Sequence, residues 1–95
     1  MSRGLTTLEH AAARALSEIL HELGDERLPL ILTVERVRLS PDLTSGKVYI
    51  SALNGVERTL ETLNHAHHHI QNELAHRMKL RRIPRLEFVA AEPSL

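Results

Sequence analysis

Apolar positions set the element pattern of this chain. From Thr7 to Leu23, the residues Leu8, Ala12, Ala15, Leu16, Ile19, Leu20 and Leu23 recur three and four apart, which lines one face of a helix. Thr6 and Glu9 have capping-box spacing at its start, and Gly24 supplies a stop at its end. Asp25-Glu26-Arg27-Leu28-Pro29 reads as a turn. Alternation then replaces the helical period. In a strand over Leu30–Leu39, Leu32 and Val34 share one parity, whereas Val37 and Leu39 share the other. A β-bulge at Glu35-Arg36 returns both pairs to one face. Ser40–Gly46 is turn chemistry, with Asp42 placed to accept hydrogen bonds from backbone amides. Val48, Ile50 and Ala52 alternate in a second strand over Lys47–Leu53, so the two strands form a hairpin.

Helical spacing resumes with Val56, Leu60, Leu63, Ala66, Ile70, Leu74 and Met78. A segment of that length is about twice the mean helix, so a break within it is expected. Pro84 ends the helical possibility. Leu86, Phe88 and Ala90 then alternate with Glu87 and Val89 in a third short strand. The order helix, strand, strand, long or kinked helix, strand implies an α+β domain over residues 1–95, with helices on one face of a three-stranded sheet. Residues 1–5 and 92–95 are expected to be flexible.

Composition narrows the function classes. Hydrophobic residues make up 42% of the 95, so the chain can bury a core. Phe88 and Tyr49 are the only aromatic residues apart from histidine. The core must therefore be aliphatic, and RNA binding cannot rest mainly on aromatic stacking platforms. Cysteine is absent, which removes disulfides and thiolate metal sites and suits a reducing cytoplasm. No apolar run reaches the roughly 18 residues of a membrane span, and the N-terminus lacks the apolar centre of a secretory signal.

Lys+Arg and Asp+Glu both total 12, so the chain has no overall basic footprint. The distribution is uneven. His76–Arg85 holds Arg77, Lys79, Arg81, Arg82 and Arg85 with no acid, while Glu18, Glu22, Asp25 and Glu26 gather near the end of the first helix. Arginine forks grip phosphate oxygens in two places, so the basic stretch is a candidate RNA contact. A solvated helix end favoured by the helix dipole would show the same composition. His65 and His69 have the spacing of one helix face, within reach of a shared zinc, although exposed surface histidines account for them better. Glu35, Arg36 and Asp42 lack a nucleophile or a glycine-rich phosphate cradle beside them, so neither a catalytic set nor a cofactor site is expected.

Three stretches in this order resemble the ribosome-binding factor A family. They are Leu32-Thr33-Val34-Glu35-Arg36-Val37-Arg38-Leu39-Ser40-Pro41-Asp42-Leu43, then Gly46-Lys47-Val48-Tyr49-Ile50-Ser51, then Met78-Lys79-Leu80-Arg81-Arg82-Ile83-Pro84-Arg85-Leu86-Glu87-Phe88. The resemblance runs from about Leu8 to Glu92. It implies a type II K-homology-like fold and a ribosome assembly factor, not an enzyme, that works in the cytoplasm without a cofactor and as a monomer. Its implied partners are the small (30S) ribosomal subunit and 16S rRNA, in late maturation and processing of the rRNA precursor, with a link to growth in the cold. An RNA-binding module of the same fold that acts away from the ribosome is the alternative. The implied face joins the region Asn64–Gln71, including His67, His68 and Gln71, to Arg77, Lys79, Arg81, Arg82 and Arg85. Two positions depart from the family pattern. Ala66-His67-His68 stands where the family has Ala-x-Gly at its helix kink, and Gln71 stands where an arginine is frequent. The kink itself is expected near Ala66–His69.

Overall fold

The computed structural model describes residues 3–24, 26, 28–29 and 31–91. The elements run α1 (Arg3–Glu22), β1 (Leu32–Leu39), β2 (Ser45–Ala52), α2 (Val56–His65), α3 (His67–Met78) and β3 (Arg85–Ala90). The strands form one sheet in the order β1-β2-β3. β1 and β2 are antiparallel, and β2 and β3 are parallel. A parallel pair needs a crossover, and α2 and α3 supply it; together with α1 they cover one face of the sheet.

α1 begins at Arg3, so Arg3–Leu5, expected to be loose, are helical and Thr6 lies inside the helix. Leu5 packs against the core, which extends the apolar stripe by a turn. The capping box expected of Thr6 and Glu9 does not organise this end. The Glu9 carboxylate instead accepts the backbone N–H of Leu39 at 2.8 Å, across to the outer edge of β1. No strand among the described residues pairs with that edge, so the carboxylate supplies the partner for this amide. Gly24 takes φ +63°, the left-handed value that ends a helix. The turn expected over Asp25–Pro29 and the tail from Glu92 fall wholly or partly outside the described residues.

The bulge lies where the parity change places it. Pairing moves from Val34↔Ile50 to Arg36↔Tyr49, which leaves Glu35 outside the backbone register, its carboxylate accepting the Ser51 hydroxyl of β2. Val37 and Leu39 are buried and Leu32 and Val34 half-buried, all toward the helices. The core is aliphatic except for Phe88. Leu16, Ile19, Val48, Ile50, Leu63, Ile70 and Leu74 are all essentially inaccessible. Burying each such side chain contributes about 1.5–3 kcal/mol.

The long helical segment breaks at Ala66, within the expected window. Ala66 has φ −96° and ψ 14°, and its N–H is shared between the carbonyls of Thr62 and Leu63, each at 3.1 Å. No positive φ is involved, so the kink forms without the glycine that the family pattern places there.

Candidate nucleic-acid interface

The corner between α3 and β3 carries most of the cations singled out from the sequence. α3 ends in a Schellman arrangement: Leu80 N–H donates to Ala75 O at 2.9 Å and Lys79 N–H to His76 O at 3.3 Å. Lys79 occupies the left-handed position at φ 54°, where glycine is the usual residue. A side chain there costs roughly 1–2 kcal/mol, and strain of that kind gathers at functional positions. The chain then turns through Arg81 and Arg82, both exposed. Pro84 is buried and the Arg85 N–H donates to Thr44 O at 2.9 Å, which anchors the corner to the β1–β2 turn.

Ile83, an apolar residue between buried Pro84 and the exposed arginines, is itself 54% exposed. The alternation of β3 reaches back into the corner: Pro84, Leu86 and Phe88 point inward, so Ile83, Arg85 and Glu87 point outward. Lys79, Arg81, Arg82 and Arg85 are all exposed, and none forms an ion pair among the described residues.

Arg77 belongs to the same cationic run but sits differently. Its guanidinium grips Glu22 at 2.5 Å and lies 3.2 Å from Glu73 and 3.9 Å from Glu18, so carboxylates of α1 and α3 surround it. The hydrogen bond from Arg77 holds the Glu22 carboxyl below the ordinary glutamate value, and the bonds to Glu22 and Glu73 raise Arg77 further. The guanidinium clamps α3 to α1.

A groove of about 780 Å³ opens where the helix break, the β1–β2 turn and the start of β3 meet. Asn64 and His67 line one side, Ser45 and Gly46 another, and Arg85 and Leu86 a third. The turn is stiff. Ser40 and Asp42 bind each other at 2.8 Å, and the Asp42 carboxylate accepts the N–H and hydroxyl of Thr44 at 3.1 and 2.8 Å. Those hydroxyl and amide donors lower the Asp42 carboxyl below its usual range. At Gly46 a methyl group would come within 2.8 Å of Leu39 Cδ2, so a larger residue there would have to push the Leu39 side chain aside beneath the groove.

His67 and His68 flank the break, with ring centroids 4.2 Å apart; His68 is exposed and His67 half-buried in the groove wall. Gln71 is only 8% exposed. Its side-chain oxygen accepts the Leu86 N–H at 3.1 Å and lies 3.1 Å from His67 Nδ1, which must then carry a proton. Gln71 is therefore spent inside the fold and withdrawn from the residues expected to meet RNA. Asn64 does the same work one step along: Nδ2 donates to Phe88 O at 3.0 Å and Oδ1 accepts Phe88 N–H at 2.9 Å. β3 is an edge strand, and these two side chains occupy the outward amides of Leu86 and Phe88. A polar residue at a helix break, as Asn64 is, was the available signal for this role, but the strand it serves lies 24 positions away.

The break at Ala66 falls between His65 and His69, so they no longer share one helix as their spacing suggests. Among the described residues no group of three or more His, Cys, Asp or Glu is placed to hold a metal ion. No helix among them is long and apolar enough to cross a membrane.

The sequence profile of ribosome-binding factor A matches residues 5–93. The chain belongs to the ribosome-binding factor A family. Ribosome-binding factor A of Thermus thermophilus is 43% identical over 89 residues, covering 94% of this chain and 93% of that one. Its crystal structure superposes with a TM-score of 0.85 at 42% identity, covering 90% of this chain and 94% of that one. The family fold, K-homology-like, thus extends over nearly the whole chain. A homology model of the same Thermus factor, fitted into a cryo-electron-microscopy map of its complex with the 30S subunit, gives a TM-score of 0.78 at 43% identity, with 92% and 97% coverage. The Paraburkholderia xenovorans member is longer: 42% identity over 76 residues spans 79% of this chain but 62% of that protein.

Proposed function

We propose that this ribosome-binding factor A family member binds the small (30S) ribosomal subunit through its 16S rRNA and acts as an assembly factor in late maturation and precursor processing. The observation that carries this reading is the near full-length match, in sequence and fold, to the Thermus factor fitted into a 30S complex. The exposed cations Lys79, Arg81, Arg82 and Arg85, unpaired among the described residues, form the electrostatic contact, with His67 and His68 beside the adjoining groove. Arg77 positions α3 and does not join them. The factor works in the cytoplasm as a single copy and holds a conformation of the RNA, with no chemical step of its own.

The occupied edge of β3 favours this reading over a module for free single-stranded RNA. A base reading that strand would have to displace Asn64 and Gln71 from the amides of Phe88 and Leu86. Recognition of a folded RNA surface through phosphates and shape has no such requirement. Sedimentation of cell extract tests the choice. The chain is expected to migrate with free small subunits, and its removal is expected to raise unprocessed 16S precursor, most strongly in the cold. Migration with short RNAs and never with subunits would overturn the proposal.

A further inference from the structure

The helices pack on one face of the sheet, and no element among the described residues covers the other. Alternation decides what that open face shows. Val48 and Ile50 point into the core, so Lys47 and Tyr49 point outward. On β1 the bulge brings Arg36 and Arg38 to the same open side, where Arg38 pairs in register with Lys47 and Arg36 with Tyr49. All three cations are exposed and form no ion pair among the described residues.

Two features are unusual for a merely solvated surface. Arg38 and Lys47 are like charges directly opposite each other, an arrangement that weakens a strand pair, and the single carboxylate in register on the other side of Lys47, Glu87, leaves the row Arg38–Lys47–Glu87 with a net positive charge. Tyr49, the one tyrosine of the chain, lies on the open face with the Arg36 guanidinium 4.2 Å above its ring centroid. An arginine held over a ring has lost part of its freedom before any ligand arrives, and a guanidinium plane is a surface on which an unpaired base stacks.

We propose that this open sheet face is a second RNA contact, with phosphates on Arg38 and Lys47 and an unpaired base on the Arg36–Tyr49 platform. The occupant is a second segment of the small subunit's RNA, distinct from the one at the Arg81–Arg82 corner. Charge complementarity selects it: the pair that opposes sheet formation is the pair that a phosphate backbone would neutralise. Arg38 and Lys47 also line the groove beside Asn64, His67 and Arg85, so RNA held there can run on over the open face to the Arg36–Tyr49 platform. This inference rests on the small-subunit reading above.

The test uses the full chain carrying p-benzoylphenylalanine in place of Tyr49, or separately in place of Arg82, irradiated on purified small subunits. Adducts are expected from both positions, on RNA segments that do not overlap. RNA adducts from position 82 alone, a protein adduct from position 49, or one shared segment would overturn the second face and leave the first standing. No RNA adduct from either position would overturn the small-subunit reading as well. In parallel, Arg38→Gln with Lys47→Gln is expected to weaken subunit binding roughly tenfold at moderate salt and to lower the log–log salt slope by about 1.4. An unchanged slope would also overturn the proposal. The melting temperature of that variant is expected not to fall, because a like-charge pair has been removed.

Discussion

Arg77 and the corner from Lys79 to Arg85 differ in what surrounds them. Arg77 lies among Glu18, Glu22 and Glu73, carboxylates from two helices, within 4 Å. Past the left-handed Lys79 the chain has left α3, and Arg81, Arg82 and Arg85 stand exposed with no acid against them among the described residues. To reach a phosphate, Arg77 would have to abandon Glu22, whereas the corner has no such bond to break. A cation's availability is thus set by how its helix packs, and the acidic end of α1 neutralises one member of the run.

That comparison can be broken in several ways, and the largest effect is its control. Leu86→Ala removes a side chain that is 3% exposed and is expected to cost about 2–5 kcal/mol in denaturant unfolding. Ile83→Ala, at the outward-facing neighbour, is expected to stay within about 0.5 kcal/mol. Equal losses would mean that the corner does not alternate as described.

Next comes the corner itself. Arg81→Ala with Arg82→Ala is expected to weaken subunit binding more than tenfold at moderate salt and to reduce the salt slope by about 1.4, two phosphates at the single-strand coefficient. Folding should be intact by circular dichroism. Glu18→Gln with Glu22→Gln, which frees Arg77, is expected to leave binding equal or slightly tighter. Comparable losses in the two variants would erase the distinction.

Lys79→Gly should separate strain from charge. Removing a side chain from the left-handed position is expected to stabilise the fold by about 0.5–1 kcal/mol in thermal or urea unfolding. Subunit binding should weaken at the same time, with a slope smaller by about 0.7. A variant both less stable and unchanged in binding would show that Lys79 serves only the helix end.

The smallest effect is the pH dependence of the clamp. Glu22 is held below its ordinary value by Arg77, so its contribution is complete above that value and fades as pH falls through the lowered one. Wild type is therefore expected to lose melting temperature at acid pH slightly more steeply than Glu22→Gln. Parallel acid limbs for the two would mean that the ion pair is fully screened by solvent.

Much of the architecture was legible in one dimension. The stripe of α1, the parity change at Glu35-Arg36 and the long helical period before Pro84 are local patterns, and each corresponds to what folds. Helix and strand periods depend on neighbours a few residues away, which is why spacing reveals them. The sites of contact were less legible. Asn64 and Gln71 stood in the region implied to meet RNA, and their partners are amides of β3, 24 and 15 positions on. Only the parallel pairing of β2 and β3, which makes β3 an edge, shows why those amides need them.

The cationic run makes the same division sharper. Composition alone established a neutral chain with one acid-free basic segment, and that is what makes an electrostatic face possible. Which of its residues remain free was decided by tertiary structure, because the carboxylate that grips Arg77 lies 55 positions earlier. Charge is a property of the residue, but pairing depends on distance in space, and packing of α1 against α3 sets that distance.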